Sequence, residues 1–195
     1  MRHVLASVVV LGFAILISSP CAYADGDVNF GFGSRAMDDE DSWEPTEDQD
    51  VFGVTADFGA RTWPLHMAVG YYSSSDEGQL ANFPVLGPVD LDSEVSEMSL
   101  GVHKVWTVKN ARPFLGGGVT FVDAEADVES VLGQADDDES STGAYLEGGI
   151  FWRLGEAFNL GLQGRFVQGT DITLFDVEGD ADYFQIGALI GFGWK

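Results

Sequence analysis

The sequence predicts an all-β fold, an eight-stranded antiparallel up-and-down transmembrane β-barrel, and three observations predict it. Apolar residues recur at every second position in segment after segment, which is the period of a strand with two unlike faces. Short and long links alternate between those segments, as they do when turns gather at one end of a barrel and loops at the other. No run after residue 24 is long and apolar enough for a membrane helix, which needs about 20 such residues.

The N-terminus reads as a signal peptide over 1–24. Arg2 and His3 form a short polar start, Val4 to Ile17 is an apolar run, and Ala22-Tyr23-Ala24 is a small-x-small cleavage site. The run is short for a retained anchor. Pro20 before Cys21 argues against lipid attachment. Cys21 is the single cysteine, so the mature chain, 25–195, has no disulfide framework and takes its stability from the fold.

The 195 residues suit one domain. With 32 acidic and 9 basic residues the net charge is −23. A disordered acidic chain would be poor in aromatics, whereas this one is 45% hydrophobic with 14 Phe and 5 Trp. Nucleic acid is excluded as a partner, because its binding rests on Lys and Arg neutralising phosphates.

Eight strands are expected near 27–36, 51–61, 64–72, 95–107, 112–122, 143–154, 157–169 and 182–194. The last shows the pattern best: Phe184, Ile186, Ala188, Ile190, Phe192 and Trp194 alternate with Gln185, Gly187, Leu189, Gly191 and Gly193. Short links join the second strand to the third, the fourth to the fifth and the sixth to the seventh. The segments 37–50, 73–94, 123–140 and 170–181 are expected as long external loops. They hold 25 of the 32 acidic residues and no Lys or Arg. Most basic residues fall at the opposite, periplasmic end.

The faces follow from parity. Phe52, Tyr71, Phe121, Phe166 and Phe184 are expected to face lipid near the external rim, and Trp106, Trp152 and Trp194 near the periplasmic one, as an aromatic girdle. The inward face carries Arg35, Asp57, His66, Glu97, His103, Glu147, Gln163, Arg165 and Gln185. A soluble lipocalin-like barrel would invert these faces, and buried charges in a soluble core are rare. Pairing the sixth and seventh strands about residue 156 sets Glu147 beside Arg165. An unpaired buried charge is costly, so an ion pair is expected there, with Arg35 and Asp57 in the same network.

Residues 113–120, Pro-Phe-Leu-Gly-Gly-Gly-Val-Thr, together with the terminal Gly191-Phe192-Gly193-Trp194, resemble the small outer-membrane β-barrel family typified by the transmembrane domain of outer membrane protein A. The resemblance spans essentially all of 25–195. It implies residence in the bacterial cell outer membrane, contact with its lipids and lipopolysaccharide, and folding by the outer-membrane assembly machinery, which in this family commonly recognises a terminal aromatic; here Trp194 is followed by Lys195.

The expected function is that of a structural surface protein, a monomer presenting acidic loops for adhesion or lipopolysaccharide contact. A narrow, porin-like gated channel is the first alternative, although eight strands leave an interior just filled by side chains. A lipid-modifying enzyme is the second and is disfavoured. Ser99 and His103 share a face but lie about 13 Å apart along the strand, and no serine–histidine–acid set is legible. Gly116-Gly117-Gly118 lacks the Lys-Ser/Thr of a phosphate loop. No catalytic, cofactor-binding or shaped metal site is expected. Runs such as Asp38-Asp39-Glu40-Asp41 and Asp136-Asp137-Asp138-Glu139 lack a calcium-loop spacing, so only weak Ca²⁺ or Mg²⁺ association is expected, centred on 37–50 and 123–140.

Overall fold

The computed structural model describes residues 24–38, 48–60, 62–83, 87–130, 133–174 and 177–194. The expected signal peptide, but for Ala24, and the middle of segment 37–50 lie outside them. Ten strands form: β1 Ala24–Met37, β2 Asp48–Ala60, β3 His66–Phe83, β4 Gly87–Val105, β5 Ala111–Ser130, β6 Gly133–Leu154, β7 Phe158–Gln168, β8 Asp171–Leu174, β9 Val177–Asp180 and β10 Tyr183–Trp194. Eight of them close into a barrel in which each strand pairs antiparallel with its neighbours and β10 returns to β1. The hairpin β8–β9 is separate.

Closure is what makes this arrangement possible. An edge strand leaves half its N–H and C=O groups unpaired, and a closed ladder leaves none along the wall. Along β10 the inward residues Tyr183, Gln185 and Leu189 are buried, while Phe184, Ile186, Ile190, Phe192 and Trp194 are exposed. The same alternation runs through β7, where Leu160 and Leu162 point out and Asn159, Gln163 and Arg165 point in. The outer surface is therefore an apolar belt. Phe52, Trp106, Phe121, Trp152, Phe166, Phe184 and Trp194 lie on it, 39–53% exposed, and Tyr71 shares their parity on β3.

Tight turns close one end. Lys109–Asn110 form a two-residue hairpin turn, bracketed by paired hydrogen bonds between Val108 and Ala111. The β6–β7 turn uses Gly155 at φ +67°, a backbone region open to glycine.

The other end departs from expectation. Segments 73–94 and 123–140 were expected as loops, yet most of their residues are strand. β3 pairs with β4 out to Phe83↔Gly87, and β5 with β6 out to Ser130↔Gly133. The reason is physical: hydrophobic alternation marks the stretch that meets hydrocarbon, not the length of the hydrogen-bonded ladder. The apolar belt stops near the row Ser73, Ser96, Asp123 and Ser140, and pairing continues past it through polar rows such as Glu77, Asp92, Asp127 and Asp136. Segment 170–181, also expected as a loop, contains β8 and β9 for the same reason.

Leu162 is 58% exposed in the belt, level with Ile150 on β6 and Ala188 on β10. Leu162→Arg should cost about 2–4 kcal/mol of folding free energy in phospholipid vesicles if it sits near mid-belt, read by urea titration of the folded band. No loss would mean that this face does not meet hydrocarbon.

Candidate functional site

The site is the barrel interior, and its contents are set by strand parity. Side chains from all eight walls converge there, and polar and apolar clusters follow one another along the axis.

At the short-turn end Asp27 on β1 is the acceptor. Arg153 on β6 donates to it from Nη2, Asn159 on β7 from Nδ2 at 2.8 Å, and Arg112 on β5 from Nη1 at 3.4 Å. Arg153 Nε also donates to Asn159 Oδ1 at 2.6 Å. Room for this cluster comes from the opposing strand: a Cβ at Gly193 would collide with the Asp27 carboxylate and the Arg153 guanidinium. Asp57 lies at the same end, opposite Asp27 in the β1–β2 ladder, and its carboxylate meets His66 Nδ1 at 2.9 Å. Above this comes an apolar layer of Phe114, Phe151 and Leu189, with Val105 against it.

The third layer holds the charges. Arg165 on β7 donates from Nη1 to Glu147 Oε2 at 2.7 Å, from Nη2 to Glu97, and from Nε to the Tyr183 hydroxyl at 3.2 Å. Its guanidinium also lies 3.9 Å from the Tyr145 ring centroid, a cation–π contact. Arg35 on β1 donates to Glu97 Oε2 at 3.3 Å and to Ser74 Oγ at 3.0 Å, and stacks 3.8 Å over the Tyr183 ring. Glu97 on β4 additionally accepts from Thr120 Oγ1 at 2.6 Å and from the Tyr183 hydroxyl. Glu147 is bonded to His103 Nε2. Two arginines and two glutamates thus alternate as Arg35–Glu97–Arg165–Glu147, all nearly or wholly buried. A buried ion needs partners of this kind, because its desolvation is offset only as its hydrogen-bonding capacity is filled; Arg35 Nε is the buried side-chain atom among the described residues that has none.

A second apolar layer covers the network at the long-loop end: Met37, Val95, Val122, Ala124, Tyr145, Val167, Ala181 and Tyr183. Ala181 is pinned there by its N–H to Thr170 O at 2.8 Å, and Asp182 Oδ1 accepts from both Thr170 N and Thr170 Oγ1 at 2.8 Å.

Of the inward residues singled out from the sequence, Arg35, Glu147 and Arg165 come together, with Glu147 opposite Arg165 in the ladder. Asp57 does not sit with them; it stands at the short-turn end with His66, because its position on β2 is level with Asp27 and Ala68. Parity could place Glu97 inward but not identify it as the hub, since its partners lie on β1, β5, β7 and β10. Tyr72 was missed altogether. It is buried, and its hydroxyl donates to Glu147 Oε2 at 3.4 Å. The signal for it was Gly53 opposite, where a Cβ would collide with the Tyr72 ring. Among the described residues no group of three or more His, Cys, Asp or Glu side chains is placed to hold a metal.

A closed eight-strand barrel with an apolar outside and a filled polar interior defines the fold of the small outer-membrane β-barrels, and this chain has that fold. No family model matches the sequence, and no curated protein matches it. Solved structures do. The attachment invasion locus protein Ail of Yersinia pestis superposes with TM-score 0.60 at 10% identity, covering 88% of this chain and 99% of its own. A major outer membrane protein of Thermus thermophilus gives 0.54 at 12%, covering 88% and 99%. The N-terminal β-barrel domain of Pseudomonas aeruginosa OprF gives 0.53 at 13%, covering 86% and 97%.

Arg165→Met should destabilise the barrel by about 3–5 kcal/mol and more than Glu147→Gln, because it strips both carboxylates of a partner while Glu147→Gln leaves Arg165 on Glu97. A double-mutant cycle of the two, followed by urea unfolding in detergent, should show coupling of about 0.5–3 kcal/mol. Strict additivity would show that the pair carries no interaction energy.

Proposed function

We propose that this protein is a structural surface barrel of the bacterial outer membrane that holds an acidic platform outside the cell. The observation that carries the reading is the layered interior. The charged network fills the middle of the interior, with Phe114, Phe151 and Leu189 packed below it and Met37, Val95, Val122 and Val167 above it, and a cavity beside the lower group reaches from Asp57 to Glu147. A solute path would have to displace the ion pairs Arg35–Glu97–Arg165–Glu147, so the filled interior supports a rigid plug over a channel. Both interior histidines are bonded to carboxylates, His66 to Asp57 and His103 to Glu147, which ties them into the interior network.

The platform is the polar extension of β3 to β6. Its rows place like charges side by side, as in Glu94, Glu125 and Asp138. Like charges directly opposite on a sheet disfavour pairing, and diffuse Ca²⁺ or Mg²⁺ association would relieve that. The same ions would bridge the rim to lipopolysaccharide phosphates. The Yersinia protein was crystallised with the heparin analogue sucrose octasulfate, a polyanion. This rim, with 25 acidic residues and no Lys or Arg in its four long segments, would repel such a ligand, so an adhesive partner would be cationic or reached through divalent ions.

Two measurements test the reading. Ser140→Cys should be labelled on intact cells by a membrane-impermeant maleimide, while Lys109→Cys should need permeabilised cells; the reverse pattern would overturn the topology. In planar bilayers the purified wild-type barrel should add no conductance above the membrane leak. Steady single-channel openings would favour the channel alternative.

A further inference from the structure

In a chain of net charge −23, the stretches 58–75 and 98–122 contain no acidic residue. They carry four of the nine basic residues, Arg61, Lys104, Lys109 and Arg112. The fold brings these stretches together. β3 pairs with β4 from His66↔His103 upward, so the β2–β3 turn and the β4–β5 turn stand side by side at the short-turn end. Lys104 Nζ donates to Pro64 O at 2.8 Å and ties β4 to the β2–β3 turn. An ammonium has three donors, so two remain.

The same two turns are unusually apolar for exposed turns. Trp63 is 54% exposed and Val108 59%, and Leu65 and Trp106 are exposed beside them. Lys109 is exposed at the tip of the β4–β5 turn, with the positive φ of +57° that a two-residue hairpin turn uses. Indole rings favour the boundary between hydrocarbon and headgroups. Lysine stems run along apolar surface and deliver the ammonium at the same depth. The combination of exposed Trp and Leu with Lys104 and Lys109, free of neighbouring carboxylates in sequence, fits a phosphodiester headgroup whose charge is not cancelled by its own amine.

We infer that the paired turns 62–65 and 106–110 form a binding foot for anionic phospholipids, with Trp63 and Trp106 seated at the headgroup boundary and Lys104 and Lys109 each offering an ammonium to a headgroup phosphate. This rests on the reading of the protein as a membrane barrel. It also assigns the two ends opposite lipid preferences: the acidic platform repels anionic headgroups and the foot collects them.

The test uses the mature chain folded in nanodiscs with spin-labelled phosphatidylglycerol or phosphatidylcholine, and reads the immobilised fraction of each. Expected is a preference for phosphatidylglycerol of roughly fivefold or more at low salt, the size of one lysine near an anionic surface. The preference should fall with added salt, fall toward unity in K104Q/K109Q, and return in K104R/K109R. Equal association of the two lipids with wild type, or a preference that survives K104Q/K109Q, overturns the foot. The heat-dependent gel shift of each sample separates the two levels. A shift retained with no lipid preference rejects the foot alone; a wild type with no shift rejects the membrane barrel and the foot with it.

Discussion

The structure depends on one constraint: a backbone surrounded by hydrocarbon has no water to satisfy its N–H and C=O groups. The eight-strand ladder meets it by closing β10 onto β1 through twelve consecutive register pairs, Gly26↔Trp194 to Met37↔Tyr183. Closure then dictates the rest. With period 2, every wall residue faces either the belt or the interior, and eight strands leave an interior only as wide as its own side chains. Whatever polar groups the inner parity carries must find partners within that space.

The interior solves this by layering. Polar groups gather into two clusters, one about Asp27 and one about Glu97 and Arg165, and an apolar cluster packs against each. The arrangement follows from the low dielectric of a dry interior. Ion pairs shielded from water interact strongly, but only if few of their lone pairs and protons go unmet. Tyr72, Tyr145 and Tyr183 serve this purpose by offering ring faces to the two guanidiniums, while the hydroxyls of Tyr72 and Tyr183 reach the two glutamates. Tyr145 and Tyr183 are also part of the apolar cover above, so one side chain belongs to both layers.

The two ends differ as strongly as the two faces. At the short-turn end cations and indoles cluster on tight turns, and at the other a polar sheet extends beyond the belt with carboxylates in rows. At physiological salt charges are screened over about 8 Å, so the charge of one end is not felt at the other.

The sequence by itself determined the barrel, the strand count of its wall, the outward belt and the inward set, because period 2 and alternating link length are local properties that survive without knowledge of contacts. It also determined that Glu147 and Arg165 would be neighbours, since a tight turn fixes the register of the strands it joins. It did not determine where strands end outside the belt, because in water polar rows pair without any hydrophobic alternation. Nor could it separate Asp57 from the central network or raise Glu97 to its hub. Those are differences of level along the barrel axis, set by the stagger of all eight strands at once, and Glu97 meets Arg35, Arg165 and Tyr183 only after β10 has closed on β1 and carried distant walls to within a hydrogen bond of one another.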